Sequence, residues 1–129
     1  MEIHLWCIVA AWLVVYCTKL PVAAAMQRAG GYDNRLPRAQ QARLDGWGAR
    51  SVAAHQNGFE SFAPFAAAVL VAHLGSGPER VIDLLAVSFV VARIGYVICY
   101  LADRASLRSA VWSVGFLLTF ALFLTPLFG

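Results

Sequence analysis

Residues 50–70 read RSVAAHQNGFESFAPFAAAVL, a stretch that begins polar and ends as an apolar run typical of membrane-crossing helices. Asn57, Glu60 and Pro64 stand at positions i, i+3 and i+7, so a helix would place all three on one face. A carboxylate inside a membrane helix is costly unless it has a partner, and such residues usually mark a functional site. Glu60 is therefore the first candidate for a functional residue in this chain.

The composition indicates a membrane protein. Of the 129 residues, 60% are hydrophobic and only 13% are charged. A membrane-spanning helix needs roughly 20 apolar residues, so four spans with short connections account for nearly the whole chain. We predict an all-α fold, an integral membrane antiparallel four-helix bundle formed by one domain of residues 1–129. The predicted spans are residues 3–26, with a kink at Pro21, then 50–74, 80–102 and 107–128.

Cysteines and histidines suggest no redox or metal chemistry. The three cysteines lie in apolar segments without a CxxC pair, as buried small side chains do. No histidine has a second ligand at metal-binding spacing, so no metal is expected. Residues 1–25 could be read as a cleaved signal peptide, but they start with Glu2 and no early Lys or Arg, which favours a retained first helix.

The arginines predict the orientation in the membrane. Little more than Arg80 flanks the second connection. The first and third connections with their flanks carry Arg28, Arg35, Arg38, Arg43, Arg50, Arg104 and Arg108. Because basic connections stay in the cytoplasm, we predict that this end is cytoplasmic and that both termini lie outside.

Two opposite charges are predicted to meet in mid-membrane. Glu60 and Arg93 each lie about ten residues from the cytoplasmic end of their spans, which places both about 15 Å deep. Either charge alone would cost at least ~2.5 kcal/mol at the bilayer centre. We therefore predict that Glu60 and Arg93 form an ion pair at the floor of a polar funnel. The plain alternative is a buried ion pair that only fixes the helix register.

Further polar and aromatic residues line this predicted funnel up to the cytoplasmic surface. They are Gln56 and Asn57 on the second span, Tyr96, Tyr100 and Arg104 on the third, and Arg108, Ser109 and Trp112 on the fourth. Arginine binds carboxylates and Glu60 can accept from an ammonium, so the set suits a small zwitterionic peptide. Arg108 would lower the pKa of a thiol held beside it, with Tyr100 or Ser109 donating a hydrogen bond. The aromatic residues could instead be interfacial anchors.

The same residues resemble the motifs of the MAPEG family, membrane-associated proteins in eicosanoid and glutathione metabolism. The second span carries Ala54-His55-Gln56-Asn57, Glu60 and Pro64-Phe65; the third carries Arg93, Tyr96 and Tyr100; the fourth opens with Leu107-Arg108-Ser109 and Trp112. The resemblance covers essentially the whole chain and is closest to bacterial-type members without an assigned reaction. An inner bacterial membrane is the expected location.

The resemblance implies a homotrimer of four-helix subunits, with glutathione as cofactor in a pocket between neighbouring subunits. Membrane lipids and a lipophilic small-molecule substrate are the other implied partners, and no nucleic acid is expected. By position, the resemblance makes Asn57 and Glu60 ligands of the glutathione peptide, Tyr96 and Tyr100 its lining, Arg108 with Ser109 the thiolate site, and Arg93 the partner of Glu60.

Two functions follow from this sequence. The first is a glutathione S-transferase or glutathione-dependent peroxidase that acts on lipophilic electrophiles, with the thiolate stabilised by Arg108. The second is a non-catalytic scaffold, lipid-binding module or accessory subunit that retains Glu60 and Arg93 for folding only. A transporter or channel has less support, because no continuous polar path is evident.

Overall fold

The computed structural model describes all residues 1–129, and its regular structure is entirely helical. The elements are α1 (Ile3–Cys17), α2 (Lys19–Arg28), α3 (Pro37–Ala42), α4 (Gly46–Leu74), α5 (Glu79–Leu101) and α6 (Ala105–Leu124), followed by a 3₁₀ turn (Thr125–Phe128). The predicted all-α class is confirmed.

Three helical segments are long and apolar enough to cross a membrane. They are Ile3–Arg28, which joins α1 and α2, Glu79–Leu101, and Ala105–Phe128. The α4 helix has 29 residues and is long enough at 1.5 Å per residue, but it is less apolar because Asn57 and Glu60 interrupt it. A fourth span at α4 therefore stays a prediction.

The first span is interrupted at Thr18, three residues before the predicted kink at Pro21. Pro21 lies in the first turn of α2, where its missing N–H is not needed, and its ring crowds the carbonyl four residues earlier. That carbonyl belongs to Cys17, the last residue of α1. The Thr18 hydroxyl donates a hydrogen bond to the carbonyl of Val15. The proline thus acts one turn upstream of its own position.

The first connection is not an irregular loop throughout, because it contains α3 and the buried side chain of Gln40. The Gln40 amide nitrogen donates to the carbonyls of Met26 at 3.2 Å and Gly31 at 2.7 Å. Its amide oxygen accepts the backbone N–H of Asp33 at 2.8 Å. One glutamine therefore fastens this connection to the end of α2.

The long helices run back and forth. Connections 75–78 and 102–104 are short, so α4, α5 and α6 are antiparallel neighbours. The α5–α6 contact is the most extensive, and α4 packs on α1, α2, α5 and α6. His4 in the first turn of α1 contacts Asp83 near the start of α5. The N-terminus and the second connection therefore share one end, and the arginine-rich connections lie at the other.

The centre of the protein is packed through small side chains and one aromatic stack. The rings of Phe65 and Phe89 are parallel within 5°, with centroids 3.9 Å apart. Alanines on α4 and α5, such as Ala68 and Ala86, are fully buried and let the helices approach closely. Large apolar side chains of α1, α5 and α6 point outward, so these outer faces suit lipid or a neighbouring subunit.

Candidate functional site

Two adjoining cavities lie against α4, α5 and α6. The larger measures about 540 Å³ and the smaller about 350 Å³, within the size range of small-molecule sites. The larger is lined by Asn57, Glu60, Ser61, Pro64, Phe89, Arg93, Trp112, Gly115, Phe116, Thr119, Phe120 and Phe123. The smaller is lined by Tyr96, Tyr100, Arg108, Ser109, Trp112 and Ser113. Trp112 lines both cavities.

Arg93 lines the larger cavity with its guanidinium, although only 6% of its surface is exposed. Its Nη2 donates a hydrogen bond to Asn57 Oδ1 at 2.9 Å. Its guanidinium carbon lies 4.1 Å from the centre of the Tyr96 ring, a cation–π contact. These two contacts fix the guanidinium without any carboxylate touching it.

The predicted ion pair between Glu60 and Arg93 is wrong as a direct contact. No arginine or lysine in this chain lies within 4 Å of a carboxylate; the one contact of this kind joins the His4 imidazole and Asp83. Glu60 lines the same cavity as Arg93, but it is exposed and makes no hydrogen bond within the chain. Asn57, one turn earlier on α4, accepts the hydrogen bond from the guanidinium instead. The Glu60 carboxylate therefore has no partner within the chain and is available to a group bound in the cavity.

The predicted thiolate residues come together in the smaller cavity. The Arg108 guanidinium carbon lies 4.5 Å from the centre of the Tyr100 ring, and Arg108 Nη2 is 3.5 Å from Ser109 Oγ. The rings of Tyr96 and Tyr100 pack edge to face with centroids 5.6 Å apart. Because Tyr96 also contacts the Arg93 guanidinium in the larger cavity, these aromatic rings connect the two arginine sites.

Eight of the ten predicted site residues line one of the two cavities, and two do not. Gln56 and Arg104 are exposed and border neither cavity. Gln56 adjoins Asn57 in the sequence, but successive helical residues are rotated by about 100°. His55 is turned to the other side of α4, where its Nδ1 lies 2.7 Å from Thr18 Oγ1 and 3.0 Å from the carbonyl of Val15.

Sequence reasoning missed most of the apolar wall of the larger cavity, which α6 supplies. The residues follow one helical stripe: Trp112, Gly115, Phe116, Thr119, Phe120 and Phe123. Their spacing of three and four residues was the available signal. It was hidden because α6 is apolar on nearly every side, so no polar face distinguished the stripe.

A second polar cluster lies at the opposite end of the protein, where two histidines without metal-binding spacing along the chain come together in space. His4 is buried, and its Nδ1 lies 2.7 Å from Asp83 Oδ1. The Nε2 of His4 lies 3.1 Å from Nδ1 of His73. The three residues come from α1, α5 and α4, so no spacing along the chain announces them.

Comparisons with known proteins identify the family of this chain and no individual relative. Neither curated proteins nor solved structures gave a match. The model of the MAPEG family matches residues 3–128. With three helical segments fit to cross a membrane, the match identifies an integral membrane protein. The chain belongs to the MAPEG family.

Proposed function

We propose that this protein is a membrane-bound, glutathione-dependent transferase or peroxidase that acts on lipophilic electrophiles. The observation that carries the proposal is the Glu60 carboxylate, which has no partner in its own chain and borders a cavity of about 540 Å³. An unpaired carboxylate in a membrane helix costs at least ~2.5 kcal/mol at the bilayer centre. The ammonium group of a bound peptide would offset that cost, and family membership makes glutathione the first candidate.

The donor and acceptor groups of the two cavities fit glutathione, a peptide with two carboxylates, one ammonium and one thiol. Arg93 and the Asn57 amide would bind a carboxylate in the larger cavity, and Glu60 would accept a hydrogen bond from the ammonium. When bound, glutathione supplies a thiol nucleophile.

Arg108 would act on that thiol from the smaller cavity. Its positive charge favours the thiolate and so lowers a thiol pKa from a free value of about 8.5. The hydroxyls of Ser109 and Tyr100 border the same cavity and can donate hydrogen bonds to the sulfur. Arg108, Tyr100 and Ser109 are therefore proposed as the catalytic residues.

The aromatic wall of the larger cavity suits the lipophilic substrate. Phe116 and Phe120 line the cavity and are also more than half exposed on the outside of α6. The cavity therefore reaches a surface that faces lipid or a neighbouring subunit, and an apolar electrophile could enter from the bilayer. A non-catalytic scaffold is less well supported, because Arg93 bonds Asn57 and Glu60 has no folding partner to explain it.

The assembly and orientation are part of the proposal. We infer a single four-span domain over residues 1–129 in an inner bacterial membrane. The α4 helix would be the second of the four spans along the chain. The arginine-rich connections would be cytoplasmic and both termini outside. From the family resemblance we infer a homotrimer with the glutathione site near a subunit boundary, and the exposed apolar faces of α1, α5 and α6 would be covered by lipid and neighbouring subunits.

The test uses the full chain in lipid nanodiscs with glutathione and a generic aromatic halide. Glutathione binding is measured by calorimetry, and conjugation is followed by absorbance with and without glutathione. We expect saturable binding and a conjugation rate above the rate in protein-free nanodiscs. The absence of both glutathione binding and conjugation, over a range of halides and hydroperoxides, would refute the proposed function.

A substitution in the cavity wall tests the site of the lipophilic substrate. A Cβ atom added at Gly115 would lie 3.7 Å from the Phe89 ring and 4.0 Å from Arg93 Cδ, so Gly115→Leu directs three further carbons towards the cavity. We expect the KM for the aromatic halide to rise about tenfold, equivalent to ~1.4 kcal/mol of lost contact.

The matched control is Gly95→Leu on α5, where an added Cβ would meet only Val111 at 4.0 Å and which borders neither cavity. Both variants are first compared with the wild type by thermal unfolding. Equal KM values in all three proteins would place the lipophilic substrate elsewhere.

A further inference from the structure

A cluster of metal-ligating side chains lies at the end of the protein opposite the arginine-rich connections. Glu2, His4 and His73 each present one ligand atom, and these three atoms lie within 4.8 Å of one another. They come from the residue before α1, the first turn of α1 and the last turn of α4. The fold therefore gathers a carboxylate and two imidazoles from distant parts of the chain.

Asp83 orients the most buried member of this cluster. Its Oδ1 lies 2.7 Å from Nδ1 of His4 and also accepts the His4 backbone N–H at 3.0 Å. A carboxylate at Nδ1 draws the ring proton to that nitrogen and leaves the Nε2 lone pair directed away from Asp83. Histidines that bind metals almost always have such a partner on the second nitrogen, which fixes the tautomer and ring orientation.

The two imidazole nitrogens are already close to the separation that a metal requires. His4 Nε2 and His73 Nδ1 are 3.1 Å apart. Two nitrogens at the usual Zn–N length of about 2.0–2.1 Å from one tetrahedral ion lie roughly 3.3–3.4 Å apart. Opening this pair by a few tenths of an ångström therefore makes room for an ion between them. Only 1% of the His4 surface is exposed, so its ring is held in place.

We propose that Glu2, His4 and His73 form a binding site for one divalent transition-metal ion, with Zn²⁺ as the preferred ion and Asp83 as the positioning residue. Two imidazoles and one carboxylate form a ligand set that suits Zn²⁺ and leaves a fourth position for water. The two carboxylates of Glu2 and Asp83 balance the charge of the ion. Bound metal would join the start of α1 to the end of α4.

The experiment uses the full chain with a C-terminal affinity tag that contains no histidine, because a polyhistidine tag would bind the probe. Protein in detergent is stripped with a chelator and titrated with Zn²⁺ by calorimetry, then with Co²⁺ followed by visible absorption. We expect about one Zn²⁺ per chain, a higher unfolding temperature with Zn²⁺, and a Co²⁺ spectrum of a nitrogen- and oxygen-bound tetrahedral ion.

Variants assign the ligands. His73→Gln and Glu2→Gln are expected to weaken Zn²⁺ binding more than about 10-fold, and Asp83→Asn about 10–100-fold, the range for second-sphere partners of metal-bound histidines. His55→Gln is the matched control, since His55 lies on the other side of α4 and borders Thr18. His4→Gln is not used, because replacing this buried side chain would alter the fold as well as metal binding.

The outcomes are distinct. No Zn²⁺ binding to the stripped wild type overturns the site, as does binding that His73→Gln and Glu2→Gln leave unchanged. Loss of affinity in those variants but not in His55→Gln supports it. The cluster borders neither cavity of the glutathione proposal, so Zn²⁺ binding and glutathione conjugation can fail independently.

Discussion

Replacement of Arg108 by alanine is expected to lower the rate of glutathione conjugation about 10²-fold at neutral pH, the loss typical of removing one group that stabilises a reacting anion. Arg108 lies over the Tyr100 ring beside Ser109. Its replacement removes the one positive charge that lines the smaller cavity. The measurement is kcat/KM for an aromatic halide at saturating glutathione. Arg108→Lys retains the charge without the planar fork, so we expect an intermediate rate.

The pH dependence separates a role in thiolate stabilisation from a structural role. A nearby positive charge lowers the pKa of a thiol, so its removal returns that pKa towards a free value of about 8.5. The pH–rate profile of Arg108→Ala should therefore move to higher pH, and part of the lost rate should return near about pH 9. A merely misfolded variant would lose activity at every pH.

The matched control for Arg108 is Arg38→Ala, an exposed arginine on α3 at the same end of the protein. It removes the same charge and borders neither cavity, so it should keep the wild-type rate and pH profile. If Arg108→Ala and Arg38→Ala behaved alike, Arg108 would have no part in the chemistry.

Replacement of Asn57 by leucine is expected to destabilise the protein by about 2 kcal/mol, because hydrogen bonds to charged groups contribute roughly 1.5–3 kcal/mol. Leucine has a similar volume but cannot accept the hydrogen bond that Arg93 donates at 2.9 Å. The buried guanidinium would keep only its contact with the Tyr96 ring. Reversible unfolding in mixed detergent micelles measures the change.

Two further substitutions test which residue is the partner of Arg93. Asn57→Asp restores an acceptor and should recover most of the lost stability. Glu60→Gln should not destabilise the protein, because Glu60 has no hydrogen bond within the chain and the substitution removes an unpaired charge. The reverse order, with Glu60→Gln the more damaging, would show that Glu60 and not Asn57 holds Arg93 in the membrane.

The helices could be predicted from the sequence because their signals are local. Apolar runs of sufficient length set the helices, and Gly75-Ser76-Gly77-Pro78 marks the turn between α4 and α5. The grouping of Asn57, Glu60 and Arg93 around one cavity also followed from depth, since rise per residue is the same in every helix. Depth along a helix is therefore a quantity that sequence alone can supply.

The contacts made by individual side chains could not be predicted in the same way. Equal depth does not say which of two neighbours a guanidinium will touch, and that depends on helix rotation and on the Tyr96 ring beneath Arg93. The meeting of His4 with His73 depends on how α1 crosses α4, for which a single sequence offers no signal. The contacts of the buried Gln40 could not be predicted either, because its partners are backbone groups, which every residue carries.

Trp112 is the side chain that stands between the two cavities, and 43% of its surface is exposed. Indole rings change orientation by rotation about two bonds, between a few staggered arrangements. One orientation would keep the two compartments separate, whereas another would merge them into a single elongated chamber. Under the proposed function, the rotamer of this one tryptophan would decide the size of the largest electrophile that the site accepts.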